Sequence, residues 1–364
     1  MPRPFRVIDT GVREGARNIA FDAAMVDLHQ QGRIPDTLRF IQFPPTVLVG
    51  RHQALSREVR LAHCRENGIG VARRITGGGA IYMDEGQFGF ELVFGKAAFG
   101  LGTLTELTRV LCEGVVAGLV RLGLAAEFRP RNDIEVEGRK ISGTGGYVDG
   151  DTVIFQGTIL VDMDPERMLG ALNVPQEKLS KRALDSAAQR IVTLRELMGE
   201  PPPLATVKQA LIEGFAERLG IDAAWGAIGA EEEALAARYH DEEIGSDEFL
   251  HTPDDPAADP GARIGVHAGP GGAITAHVRL EGANLDRIGA VLITGDFFVT
   301  PPRVVFDLEA RLRGAAVSAV RETVEAFFAG AGIGMLSAQP GDFAAAIENA
   351  IGSSTSRERT KEPA

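Results

Sequence analysis

The chain has 364 residues, 44% of them hydrophobic and 24% charged, which suits two globular domains with ordinary cores. Its net charge of −12 argues against nucleic acid or an anionic membrane as main partner, and its two cysteines offer neither a disulfide framework nor a CxxC pair. No apolar run approaches the ~18 residues of a spanning helix. The N-terminus lacks the apolar core of a signal peptide, so a cytoplasmic protein is expected.

In chain order, Phe5–Asp9 reads as a strand, and Asn18–Val26 as a helix with Ile19, Ala23 and Val26 on one face. Arg39–Phe43 and Thr46–Gly50 read as strands broken by Pro44-Pro45. Residues 57–67 have helical spacing. A strand from Val71 runs into Gly77-Gly78-Gly79 and resumes as Ala80–Met83. Phe88–Phe94 alternates as a strand, and residues 103–122 form an amphipathic helix stopped by Gly123. Strands follow at Asp133–Val136, Gly138–Ser142 and Thr152–Val161, then helices at 165–171, 190–197 and 204–219. The Pro/Asp-rich stretch 251–263 reads as a linker or exposed loop. Residues 263–268 and 273–280 form a hairpin around Gly269-Pro270-Gly271-Gly272. Helices are expected at 284–292, 302–313, 315–329 and 341–351. The fold class is α+β: a large mixed domain over 1–240, a small α+β domain over 245–352, and a disordered tail over 353–364.

Three segments carry chemistry. In Arg73-Arg74-Ile75-Thr76-Gly77-Gly78-Gly79-Ala80-Ile81-Tyr82, glycines expose main-chain N–H groups that can form an anion nest, and two arginines add donors suited to phosphate. A glycine-rich hairpin with a solvated arginine pair accounts for the segment equally well. In Gly138-Arg139-Lys140-Ile141-Ser142-Gly143-Thr144-Gly145-Gly146, a strand lysine stands beside a Ser/Thr/Gly turn. Directed into a closed site, Lys140 could bridge a substrate carboxylate and an attacked phosphate; at a strand end it is an ordinary exposed cation. In Pro130-Arg131-Asn132-Asp133, Asp133 could hold Mg²⁺ near phosphates, or serve a turn. Other features carry less. Gly330–Gly334 has no preceding strand to make a dinucleotide loop, no GxxxxGK[ST] exists, His240–Glu243 reads as a solvated helix face, and His267 with His277 make a poor metal site.

Taken in order, these segments resemble the lipoate–protein ligase family of the biotin/lipoate ligase superfamily. Asn18–Asp22 resembles its early helix and Val49-Gly50-Arg51-His52-Gln53 its GR-x-Q turn. Val71–Asp84 is similar to its RR-x-SGGGAV loop, Arg131-Asn132-Asp133 to its RND, and Gly138–Gly143 to its RK-[IV]-SG strand. Gln156–Leu160 is similar to HGTLL, and Lys178-Leu179 through Arg190–Leu194 to KL…RVTNL. The resemblance covers about residues 15–220, and more loosely 263–350 as the accessory domain of the long form. It implies a ligase that activates lipoate with ATP and Mg²⁺ as lipoyl-AMP and passes the lipoyl group to a lysine of a lipoyl-carrier domain. Such carriers are 2-oxoacid dehydrogenase E2, the glycine-cleavage H protein or an H-like lipoate-binding protein. By position, Arg74, Gly77, Gly78, Gly79, Ala80, Ile81, Tyr82 and Lys140 would bind ATP and the adenylate. Arg74, Gly79, Lys140, Gly143 and Gly157 would bind lipoate, Lys140 would be catalytic, and Asp133 would hold Mg²⁺. Met83, Gln87, Gly145-Gly146 and Phe155-Gln156 depart from the family pattern around the expected acyl pocket.

Two rivals remain. One is an ATP-independent lipoyl/octanoyl transferase on the same fold, which needs a cysteine nucleophile shortly before the RK-x-x-G strand, where Phe128–Asp133 has none. The other is a non-catalytic lipoyl-domain-binding protein.

Overall fold

The computed structural model describes residues 2–100, 103–130, 132–173, 190–253, 259, 261–330, 333–336 and 338–353. The motif residues Arg131, Lys178 and Leu179, and the tail from 354 onward, lie outside them. The chain forms two compact units: one built from residues up to Val49 with Glu58–Ile75 and Ala80–Leu250, the other from Gly50–Arg57, Thr76–Gly79 and residues from His251 onward.

The first unit contains strands β1 (Arg3–Val12), β2 (Thr37–Gln42), β3 (Thr46–Val49), β4 (Gly70–Arg73), β5 (Ile81–Met83), β6 (Gln87–Gly95), β7 (Ala126–Arg129), β8 (Asp133–Val136), β9 (Arg139–Asp149), β10 (Thr152–Leu160) and β11 (Ile221–Trp225). Its main helices are α1 (Gly15–Gln30), α2 (Leu61–Glu66), α3 (Leu104–Arg121), α4 (Pro165–Ala171), α5 (Leu194–Met198), α6 (Leu204–Leu219) and α7 (Ala230–Tyr239). Eight strands make one mixed sheet in the order β11-β1-β2-β6-β10-β9-β8-β7. Side-chain alternation along β10 shows why both faces are covered. Val153, Phe155 and Ile159 pack with Leu111, Val115, Leu211 and Phe215 of α3 and α6, whereas Ile154 packs with Phe21 and Met25 of α1. Helix α3 starts on a reciprocal cap: Thr103 Oγ1 accepts the Glu106 N–H at 3.1 Å, and Glu106 Oε2 accepts the Thr103 N–H at 3.3 Å.

Two expectations need correction here. The turn expected after Ser142 is strand: β9 continues to Asp149, with Gly145 opposite Gln156 and Gly146 opposite Phe155 in β10. The glycines allow close strand approach, since a Cβ at Gly146 would stand 2.2 Å from the Ile154 carbonyl oxygen. The helix expected over 190–197 is reduced to Leu194–Met198, because Arg190–Val192 are drawn into main-chain bonds with β9.

The second unit holds a three-stranded sheet, β12 (Arg263–Gly269), β13 (Gly272–Glu281) and β14 (Arg287–Gly295), a two-stranded ladder, β15 (Phe298–Thr300) and β16 (Gly334–Leu336), and helices α8 (Val304–Leu312), α9 (Val320–Phe328) and α10 (Pro340–Gly352). The expected hairpin is present, closing with Gly269 opposite Gly272. The helix expected at 284–292 is instead β14. Its β-branched Val291 and Ile293 pair with Val278 and Ala276, and burial of Ile288 and Ile293 in the core outweighs the local helical spacing. Among the described residues, no helix is long and apolar enough to cross a membrane.

Candidate active site

Lys140 is positioned from three directions. Its main chain is bracketed by the 190–192 segment: the Lys140 N–H donates to Arg190 O at 2.8 Å, and the Val192 N–H donates to Lys140 O at 2.9 Å. Its ammonium meets Asp133 Oδ1 at 2.7 Å. Between these points the side chain crosses Gly143, where an added Cβ would lie 2.6 Å from Lys140 Nζ. A register shift makes this path. Ser142 pairs with Ile134 but Lys140 pairs with Glu135, so β9 carries one extra residue there. Residues three apart on a regular strand face opposite sides; the bulge turns Lys140 onto the face of Gly143. Asn132 and Thr144 tie β9 to the start of β8, with the Thr144 N–H donating to Asn132 O at 2.8 Å. The structure thus gathers Lys140, Asp133 and Gly143, all expected from sequence. It adds Arg190–Val192, whose resemblance to KL…RVTNL was the one available signal.

The two arginines are not a solvated pair. Strands β4, β3 and β5 form a small sheet in that order, and the glycine turn connects β4 to β5. Arg73 is 1% exposed, and its Nε donates to Leu250 O at 2.9 Å. Arg74 is 9% exposed, and its Nη1 donates to Leu48 O at 2.9 Å. Burial lowers the Arg74 guanidinium to about 10, against the opposing pull of Asp22, so it stays cationic at neutral pH. Tyr82 is buried on β5; burial first, then the Asp84 charge, pushes its phenol up to about 12. Ile81 lies opposite Leu48 and Tyr82 opposite Val47, and Ala80 leads into this strand. Gly157 has a packing reason to lack a side chain, because a Cβ there would stand 2.3 Å from Phe90 Cζ in the core. Any contact from Gly157 to a ligand would therefore come from its main chain.

The glycine turn belongs to the second unit. The Gly78 N–H donates to Phe297 O at 3.1 Å, and a Cβ at Gly77 would stand 2.4 Å from that same oxygen. Gly78 has φ +91°, and its missing Cβ leaves room for the Phe298 ring. Gly79 is looser, its nearest neighbour being Asp296 Cβ at 3.8 Å from the built position. The GR-x-Q turn supports this arrangement. The Arg51 N–H donates to Thr76 O at 2.9 Å, and Gly50 is pressed against the Gly78 carbonyl, which would lie 1.9 Å from a Cβ. His52 stacks on Phe297 with centroids 5.1 Å apart. Sequence reasoning gave both turns, His52 included, but not Phe297, which is linked to them only through the fold.

Both thiols are withdrawn from the surface. Cys64 and Cys112 are both buried. Cys112, on α3, lies 3.4 Å from Thr144 Oγ1; burial pushes its thiol up to about 12, and burial raises that of Cys64 as well. Between α1 and the sheet, Arg39 Nη1 binds Asp22 Oδ1 at 2.6 Å and Glu91 Oε2 at 3.3 Å. Gln156, which departs from the family's histidine, donates Nε2 to Asp22 Oδ2 at 2.7 Å.

Comparison with known proteins matches residues 14–216 to the model of the lipoyl protein ligase A/B catalytic domain. Relatives include the octanoyltransferase LipM of Kyrpidia tusciae, 33% identical over 263 residues, covering 65% of this chain and 96% of that protein. Among solved structures, the bipartite lipoate protein ligase of Thermoplasma acidophilum, described with its E2 lipoyl domain, matches with TM-score 0.62 and 28% identity over 68% of this chain and 96% of that one. A lipoate-protein ligase A bound with ATP matches with TM-score 0.60 and 28% identity over 69% of this chain and 98% of that one.

Proposed function

The chain belongs to the lipoyl protein ligase A/B catalytic-domain family, and on that premise we propose that it is an ATP-dependent lipoate–protein ligase. The observation that carries this reading is the pair of buried cysteines. Thioester exchange needs an accessible thiolate, and both thiols of this chain are buried with raised pKa. Carboxylate adenylation needs no protein nucleophile, only cations and donors that stabilise charge and hold the reactants in line. The solved relative bound with ATP supports nucleotide use, and the Thermoplasma ligase described with its E2 lipoyl domain supports a lipoyl-carrier partner.

In the proposed reaction a carboxylate oxygen of lipoate attacks the α-phosphorus of ATP. The bond to the β-phosphate oxygen breaks and pyrophosphate leaves. The neutral amine of the carrier lysine then attacks the acyl carbonyl; the bond to phosphate breaks, AMP leaves and the amine gives up a proton. Arg74 and the segment Gly77–Tyr82 serve the nucleotide, apart from the Gly78 N–H, which the Phe297 carbonyl already holds. Lys140 neutralises the carboxylate and the α-phosphate as charge shifts between them, with main-chain contacts from Gly79, Gly143 and Gly157 to the acyl group. Asp133 Oδ1 meets the Lys140 ammonium, so this reading takes magnesium as part of the Mg²⁺–ATP substrate, which needs few protein carboxylates.

The test is mass spectrometry of a lipoyl domain incubated with the protein, lipoate and Mg²⁺–ATP. A mass gain that requires ATP and survives Cys64→Ser/Cys112→Ser supports the ligase. Several curated relatives named as octanoyltransferases favour a second reading. Transfer from an acylated carrier without ATP, lost in the cysteine variants, would establish it instead.

A further inference from the structure

We infer that Asp133 is the positioning residue of Lys140, and that Gly143 is the cradle across which Asp133 draws it. The inference rests on the ligase reading and names what holds that reading's central cation.

Asp133 begins β8 and lies opposite Gly143 in the β8·β9 ladder. Its carboxylate is thus placed beside the one strand position where a side chain would obstruct the lysine. A Cβ at Gly143 would meet Lys140 Nζ at 2.6 Å, Lys140 Cε at 2.7 Å and Asp133 Oδ1 at 3.7 Å. These three atoms therefore surround the space a β-carbon would fill. The other end of the lysine is fixed by the hydrogen bonds to Arg190 and Val192. A lysine side chain gives up much rotamer entropy when it is held in one place. Ordering it before substrate arrives moves that cost out of the chemical step. The bulge, the glycine and the aspartate converge on this one result. Asp133 thus acts through Lys140.

The test compares Asp133→Asn, Gly143→Ala, the double variant and Asp133→Glu. The first readout needs no activity: the rate at which acetic anhydride labels Lys140, followed by peptide mass spectrometry. Asp133→Asn and Gly143→Ala should each raise it threefold or more, because both release the ammonium. The second readout is pyrophosphate release with lipoate. Each single variant should lose about tenfold or more in kcat, the double variant should be no worse than the poorer single one, and Asp133→Glu should recover part of the loss. The Mg²⁺ concentration for half-maximal rate should stay within twofold of the parent. Unchanged labelling in Asp133→Asn overturns the inference. So does a tenfold higher magnesium requirement with activity restored by excess Mg²⁺, which would make Asp133 a metal ligand. If the parent protein releases no pyrophosphate, the ligase reading fails while the labelling result still judges the Asp133–Lys140 pair.

Discussion

The Gly78 N–H donates to the Phe297 carbonyl at 3.1 Å, so the central amide of the triple-glycine turn is already engaged by the segment leading into β15. Two distinct obstacles to substitution follow. Gly78→Ala faces a φ of +91° and the edge of the Phe298 ring, whereas Gly77→Ala faces the main-chain oxygen of Phe297 at 2.4 Å. Each should destabilise the second unit by about 1–3 kcal/mol. Adding Phe298→Ala should recover part of the loss in Gly78→Ala and none in Gly77→Ala, because only the former obstacle includes that ring. Urea unfolding of the four variants reads this directly, and a Gly77→Ala protein as stable as the parent would contradict the packing.

Lys140→Ala separates chemistry from folding. Its ammonium is partly exposed, so removal should change stability by no more than about 0.5 kcal/mol. Pyrophosphate release should fall at least tenfold, about 1.4 kcal/mol of transition-state stabilisation. Lys140→Arg should not restore the rate fully, because a planar guanidinium cannot follow the same path across Gly143. Near-parental turnover in Lys140→Ala would remove the lysine from the reaction.

What could be read from the sequence was the order of the chemical segments. The glycine turn, the RK-I-S-G strand and Asp133 each announce themselves through residue type and local spacing, and helix 103–122 through its period and stop. What could not be read depended on partners distant in sequence. Nothing local marks Ile141 as part of a bulge, yet the bulge sets the direction of Lys140. Burial of Arg73 depends on the carbonyl of Leu250, 177 positions away. Strand β14 carries a helical spacing, yet its pairing with β13 decides its state.

Glu91 offers a stability test in the core of the first unit. It is fully buried, and its carboxyl is held well above the usual range by burial first and then by the Asp22 charge, against the pull of Arg39. The fold therefore binds its proton more tightly than the unfolded chain does. Its stabilising contribution is full below the ordinary glutamate range and declines as pH climbs toward the raised value. Glu91→Gln keeps the shape, can still donate to Asp22 and never ionises. The variant should match the parent near pH 5 and exceed it in melting temperature near pH 9. A constant difference across that range would mean Glu91 is charged in the folded protein.

Glu309 gives the same argument a defined window in the second unit. It lies on α8, and its Oε1 accepts the Ile293 N–H at 2.7 Å along β14, an edge strand of its sheet. Burial raises the carboxyl to about 7, and the hydrogen bond from Ile293 only partly opposes it. Since the folded value exceeds the unfolded one, stability from this group is complete below the ordinary value of 4.5 and is lost as pH rises through about 7. Between pH 5 and 8 the loss should be on the order of 2 kcal/mol. Glu309→Gln keeps the acceptor for Ile293 and removes the charge, so its unfolding free energy should vary less with pH and should overtake the parent's near pH 8. Chemical unfolding at pH 5, 6.5 and 8, with the second unit's transition followed separately, measures the difference. Parallel pH profiles for the two proteins would show that Glu309 ionises freely in the folded state.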